Sequence, residues 1–227
     1  MGVMLEVIAT NIQDVIDANQ YGADRIELCA NMNEDGLTPS IGLIEEASKL
    51  SRIPIHVMVR THNRGFVYNA LDQQEMLSDI NYIKQTNAAG IVIGMLTYEG
   101  VVDEYFLKKV IDRAEGLNIT FHRAFDSARI QFEALQTLMK YEEVQTILTS
   151  GGEGQASENL PLLIEMNKFA KEQNKVIMPG GGINENNVKR FLDAFEYIHV
   201  GAGVRLDGTF KTGMSQRLVH SFFKPEG

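Results

Sequence analysis

The segment Asp24-Arg25-Ile26-Glu27-Leu28-Cys29 places a carboxylate two residues from the only cysteine in the chain. Side chains of an extended strand alternate between faces, so Arg25, Glu27 and Cys29 share one side while Ile26 and Leu28 point to the other. A carboxylate is expensive to bury unless it is partnered or used in chemistry. The same alternation sets Glu6 inward between Leu5 and Val7, and His56, Met58 and Arg60 opposite Val57 and Val59. It sets Thr120 and His122 opposite Ile119 and Phe121, and His199 between Ile198 and Val200. A lone strand histidine is commonly a satisfied interior residue. Two carboxylates, three imidazoles and a guanidinium on one face need mutual pairing, and such clusters are where pKa values move. The expectation is a site for acid/base chemistry, with Glu6, Glu27 and His122 as its catalytic candidates and His56, Arg60 and His199 as binding residues.

Two further groups of residues extend that site. Thr120-Phe121-His122-Arg123-Ala124-Phe125-Asp126 ends a strand candidate, and Arg123 or Asp126 could orient His122 or a substrate. Pro179-Gly180-Gly181-Gly182 and Gly201-Ala202-Gly203 follow two other strand candidates. Glycine lets backbone N–H groups approach a ligand closely, so Gly180, Gly181, Gly182 and Gly201 are candidates to hold a phosphate or another anion. Thr149 and Ser150 could add hydroxyl donors to the same rim. Arg60, His62 and Arg64 form a local positive cluster, with Phe66 and Tyr68 interleaved as candidate lid residues. Cys29 and Met58 are soft ligands of the kind that select Cu(I), although no C-x-x-C, H-x-x-x-H or Met-rich tract accompanies them. Buried inert thiols are also common.

The elements that must position these residues alternate along the chain. Strand candidates are 4–8, 24–29, 54–60, 90–94, 118–122, 145–149, 175–179 and 197–201. Between them, 12–19, 41–50, 73–86, 103–117, 131–141, 159–173 and 184–195 carry apolar residues at helical spacing. Thr10 or Asn11, Ser40 and Asn184 stand where N-caps belong. This alternation predicts an α/β protein with a parallel sheet. Eight strands without a linker favour a single (β/α)8 barrel over residues 1–227, with active residues at the C-terminal ends of its strands. A doubly wound sheet is the alternative, but no strand runs into a full G-x-G-x-x-G turn. The tail, 204–227, holds one short helical candidate, 214–223. The eighth helix is therefore expected to be shortened or missing, leaving apolar surface that could serve a homo-oligomer.

The chain as a whole narrows the function classes. A net charge of −9 argues against a general nucleic-acid or anionic-membrane surface. One cysteine excludes an internal disulfide framework and suits a reducing compartment. Met1 to Ile8 lacks a signal-peptide profile, and no apolar run approaches the roughly 20 residues that span a bilayer. The expected location is cytoplasmic, and the expected partner is a copper ion or a small anionic molecule.

At these residues the chain resembles the CutC copper homeostasis proteins. The resemblance rests on GADRIELCANMNEDGLTPSIGLI (22–44), PIHVMVR (54–60), IVIGMLTYEGVVD (91–103), TFHRAFD (120–126), ILTSGG (147–152) and MPGGGI (178–183). Where the family commonly reads Arg-Pro-Arg after its third strand, this chain has Arg60-Thr61-His62. The resemblance implies a TIM barrel, a cytosolic location and a role in copper handling, with Cys29 the candidate soft ligand.

Overall fold

The computed structural model describes residues 3–223. Eight parallel strands are β1 (Met4–Ala9), β2 (Arg25–Leu28), β3 (Ile55–Met58), β4 (Gly90–Ile93), β5 (Asn118–Phe121), β6 (Val144–Thr149), β7 (Val176–Pro179) and β8 (Tyr197–Val200). They pair in the order β7-β6-β5-β4-β3-β2-β1-β8. β7 and β8 lie beside each other without a strand ladder, so the barrel is nearly closed. Helices α1 (Ile12–Tyr21), α2 (Ile41–Leu50), α3 (Ala70–Ile83), α4 (Glu104–Arg113), α5 (Gln131–Leu138) and α6 (Leu160–Lys171) follow the first six strands. A five-residue α7 (Gln216–His220) completes the set. The fold is a (β/α)8 barrel with a shortened last helix.

The alternation of the strands decides what faces what. Outward residues such as Val7, Ile26, Val57, Ile91, Ile119 and Ile198 merge with the inner faces of the helices into one apolar layer. Phe106, Phe121, Phe125 and Phe191 are fully buried. Each such side chain contributes about 1.5–3 kcal/mol through the water it sheds. The inward set forms a second, separate apolar cluster of Ile8, Cys29, Met58 and Val92, with Met32 and Phe210 packed against it. Caps hold the helices in place. Asn11 accepts from the Asp14 amide, and Ser40 accepts from Leu43.

One expected helix is absent. Residues 184–195 contain only a short 3-10 turn, Val188–Arg190. The asparagines at its start explain why: Asn184 Oδ1 accepts from the Asn186 amide, Asn187 Oδ1 accepts from the Asn184 amide, and both side-chain amides donate to the Gly182 carbonyl. Side-chain bonds of this kind compete with the helical ladder for the same backbone groups. Asn184 is thus a turn-former rather than an N-cap. The tail helix lies within the expected 214–223 window and is capped by Ser215. The last four residues of the 204–227 tail fall outside the described residues.

Candidate active site

The strand register brings the inward polar residues side by side inside the barrel. Glu6 lies level with both Arg25 and His199, and Glu27 lies level with His56. Glu6 is the hub of the deeper layer. Its Oε2 takes Arg25 Nε at 2.5 Å and its Oε1 meets His199 Nδ1 at 2.7 Å. Burial pushes Glu6 upward, but the Arg25 guanidinium and the His199 hydrogen bond outweigh it and hold the carboxyl down at about 2. Burial works against a charge on His199 as well, yet Glu27 and the bond to Glu6 leave its pKa raised. His56 Nδ1 sits 3.3 Å from Thr120 Oγ1, and burial, then Arg25, lowers it to about 4.

Above this layer the partners run out. Glu27 Oε2 accepts from the Cys29 thiol at 3.3 Å and is 3.9 Å from His199 Nε2, while its Oε1 has no partner among the described residues. Burial, and the nearby Glu6 charge among the other influences, raises the Glu27 pKa. The Cys29 thiol is pushed well above its ordinary value by burial and then by Glu27. His122 caps the 3-10 turn Arg123–Ser127, with Nδ1 accepting from the Ala124 amide at 3.1 Å. That bond assigns the ring proton to Nε2, and Nε2 is buried with no partner among the described residues. Burial first, then Arg60, lowers His122 to about 3, so the ring is neutral at ordinary pH.

Glu27 and His122 both line a cavity of about 700 Å³ at the barrel mouth. Arg60, Arg123, Asp126, Met58, Gly181, Gly182, His199 and Gly201 line it too. Glu6, His56, Cys29, Thr149, Ser150 and Gly180 do not, although all but Gly180 contribute to the networks around it. Arg123 is half exposed and bonds Asp126 Oδ2 at 2.8 Å and Ser150 Oγ at 2.9 Å. Asp126 is saturated: Thr149 Oγ1, the Ser150 and Gly152 amides and Ser150 Oγ all reach its oxygens. It fastens the β5 loop to the β6 loop, and the Thr149 and Ser150 hydroxyls are spent on it. Arg60 Nη1 donates to the carbonyls of Glu34, Asp35 and Gly36, which holds the turn after β2 beside the cavity. Of the candidate lid residues, Phe66 reaches the mouth and packs on Arg60 and His122, whereas Tyr68 is buried against His62 and Phe106.

The glycine loops add donors. The N–H groups of Gly181, Gly182, Ile183, Ala202 and Gly203 meet no protein acceptor among the described residues, and all five residues line the cavity. Gly181 and Gly182 have φ of +98° and +75°, which favours glycine there. A side chain built on Gly181 would lie 3.3 Å from Arg123 Cζ, so a guanidinium borders these amides.

Two glycines that bracket β4, Gly90 at its start and Gly94 just past its end, also shape the site. A Cβ on Gly90 would sit 2.9 Å from the His56 ring, and one on Gly94 would sit 2.4 Å from His122 Nδ1. Both glycines make room for an imidazole, and their inward parity on a strand was the available signal. Arg25 supports the site from below through Glu6, and Met32 and Phe210 border its cavity. Arg25 shared the inward face from the start, while nothing in the spacing marked Phe210.

Metal-holding groups are of two kinds. Ligand atoms of Glu6, Glu27 and His199 lie within 4.8 Å of one another, but they are largely spent on each other and on Arg25. Sulfur gathers higher up. A Cβ on Gly36 would lie 3.6 Å from both Cys29 Sγ and Met32 Sδ, and 3.5 Å from the Met58 methyl.

Parallel strands in a nearly closed barrel, with buried ionisable side chains and glycine loops around its C-terminal mouth, define a (β/α)8 barrel protein. The family model of the CutC family matches residues 3–204, and the chain belongs to that family. A relative from Salmonella paratyphi B, a family protein CutC, is 37% identical over 204 residues, covering 89% of this chain and 81% of its own. A CutC chain from Streptococcus agalactiae, named for a proposed role in copper homeostasis, superposes with a TM-score of 0.82 at 27% identity, covering 88% of this chain and 98% of its own. The tryptophan synthase A-subunit of Pyrococcus furiosus shares the fold alone, with a TM-score of 0.68 at 15% identity and 97% coverage of both chains. No helix among the described residues is long and apolar enough to cross a membrane.

Proposed function

We propose that the barrel mouth is the active site of an enzyme performing acid/base chemistry on a small anionic, phosphate-bearing molecule. The observation that carries this reading is a pair of buried atoms with no partner among the described residues, Glu27 Oε1 and His122 Nε2, on residues lining one cavity. Unsatisfied polar atoms in a buried position are rare because each forfeits its hydration. A ligand that engages both relieves that penalty. Glu27, its pKa raised by burial, is suited to take or give a proton to a ligand in the cavity. The neutral His122 ring donates from Nε2 to an oxygen where negative charge develops, without itself carrying charge. Arg123 and the free amides of the two glycine loops take the anion. Glu6, Arg25, His199 and Asp126 act as positioning residues, and Arg60 fixes the wall formed by residues 34–36.

The test is calorimetric titration with inorganic phosphate, followed by a panel of phosphorylated metabolites watched by NMR in deuterated water. Phosphate should bind, Arg123→Ala should weaken it roughly tenfold, and at least one metabolite should exchange or convert. Glu27→Gln and His122→Asn should bind that compound and leave it unchanged. An absence of anion binding overturns the reading, and undiminished conversion by Glu27→Gln overturns the role of Glu27.

Copper handling is the second reading, favoured by the family and by the sulfurs of Cys29 and Met32 around Gly36, where the Met58 side chain also reaches. That donor set suits Cu(I) as cargo. Loading would displace the Cys29 thiol proton, whose hydrogen-bond acceptor is Glu27. Cys29→Ala should abolish Cu(I) retention in a competition titration and leave phosphate affinity unchanged. A cytoplasmic location belongs to the same proposal, since a reducing compartment preserves a lone thiol.

A further inference from the structure

Arg205 begins a segment that lies beyond the residues matched by the family model, and its burial is unusual for a charged side chain. Its guanidinium takes both oxygens of Asp14, at 2.8 and 3.2 Å, and also reaches the carbonyls of Ile8 and Thr212. Asp14 in turn accepts from the Thr10 backbone and hydroxyl, so the pair is locked to the β1–α1 junction. Arg205 and Met214 form an antiparallel bridge, and residues 206–213 loop out between them. Asp207 gathers the Thr209 and Thr212 hydroxyls and closes the loop internally. Leu206, Asp207, Gly208, Thr209, Lys211 and Gly213 are exposed, yet Phe210 is turned inward. Its ring stacks 4.6 Å from the Arg205 guanidinium and lines the cavity beside Ile8 and Gly201.

The loop therefore spends a buried ion pair on presenting one aromatic ring to the mouth. Phe210 packs with Ile8, Met32 and Met58 in an apolar cluster, and all four residues line the cavity. The free amides and Arg123 line the same cavity. One face of Phe210 is occupied by a cation, and the neighbouring thioethers are polarisable, which favours an aromatic surface over a saturated chain.

Building on the proposed anion site, we infer that the 206–213 loop is a specificity element, and that Phe210 selects small anions bearing an aromatic ring. The probes are inorganic phosphate, n-butyl phosphate and phenyl phosphate, titrated calorimetrically against the wild type, Phe210→Ala and Phe210→Leu. The wild type should favour phenyl phosphate over inorganic phosphate by roughly tenfold. Phe210→Ala should erase that advantage and leave the inorganic phosphate affinity as it was. Phe210→Leu, which keeps the bulk without the ring, should hold butyl phosphate and lose the preference for phenyl over butyl. If phosphate binds and both variants keep the wild-type ratios, the loop is no selector and the inference falls alone. If no probe binds the wild type, the anion site and the inference fall together.

Discussion

The barrel interior holds two polar layers of similar composition and opposite character. In the deeper one, Glu6, Arg25 and His199 satisfy each other, and His56 meets Thr120. In the upper one, Glu27 and His122 each keep one buried polar atom without a partner among the described residues. On β2 and at the end of β5 the two layers stand two residues apart, Arg25 below Glu27 and Thr120 below His122. What separates them is the supply of partners: the deep residues find theirs on neighbouring strands, even His199 where it borders the cavity of about 700 Å³, whereas Glu27 and His122 face that cavity with atoms left over. The deep layer is expected to carry stability, and the upper layer function. Substitutions should sort by layer.

The largest effect belongs to the deep layer. Replacing Arg25 with Met removes the main partner of a fully buried Glu6 carboxylate. Breaking a buried pair from one side costs about 3–5 kcal/mol, because the remaining charge is left uncompensated. Denaturant unfolding of Arg25→Met should show a loss of that order. A loss below about 1 kcal/mol would mean that Glu6 finds other solvation and that the deep layer is not a closed network.

Acid should expose both layers in turn. His122 and His56 stay neutral in the fold down to about 3 and 4, whereas an unfolded histidine takes up its proton near 6.5. Below that value the unfolded chain binds more protons, so stability falls as pH drops. Glu6, at about 2 in the fold, adds a further loss below the ordinary carboxylate range. His199 has the opposite sign: its raised pKa contributes stability at low pH that disappears as pH rises through the folded value. His122→Asn should lessen the decline between pH 6.5 and 5 by on the order of 2 kcal/mol. An unchanged slope would show that the ring is solvated and that the upper layer is open rather than buried.

A smaller loss is expected at the glycine that follows β4. Gly94→Ala drives a methyl into His122 and should lower stability by about 1–3 kcal/mol as the ring shifts. Phosphate binding through Arg123 and the amides should survive, while conversion is lost. A crystal structure of Gly94→Ala with the His122 ring unmoved would contradict this.

Most of the scaffold could be read from the chain because it depends on local rules. Strand parity put Glu6, Glu27, His56, His122 and His199 inside, since a two-residue period leaves no other arrangement once Val57 or Ile198 faces the helices. The stretch 184–195 has helical spacing but asparagines that bond their own backbone, and the local bond prevailed. The division between satisfied and unsatisfied residues was not legible. Whether Asp126 orients a substrate or fastens two loops depends on Ser150 and Gly152, which reach it only in the folded barrel. Phe210 enters the mouth because Arg205 finds Asp14 across 191 residues, a contact that no spacing pattern encodes.

The smallest expected change in stability falls on the residue with the largest expected effect on function. Burial raises the Glu27 pKa above that of an unfolded glutamate, so the fold disfavours its ionised form. The sign follows from linkage: as pH rises past the unfolded value, the unfolded chain releases its proton first and the native state loses stability. Glu27→Gln keeps the shape and the acceptor for the Cys29 thiol while removing the charge. At pH 7 it should be neutral or stabilising by about 1 kcal/mol, the pattern of a residue held in place for activity at the expense of the fold. Thermal unfolding of Glu27→Gln beside the isosteric Glu6→Gln checks this directly. Glu6→Gln should be clearly destabilised because it surrenders its ion pair with Arg25. Equal losses in the two variants would erase the distinction between the layers and return Glu27 to the structural network below it.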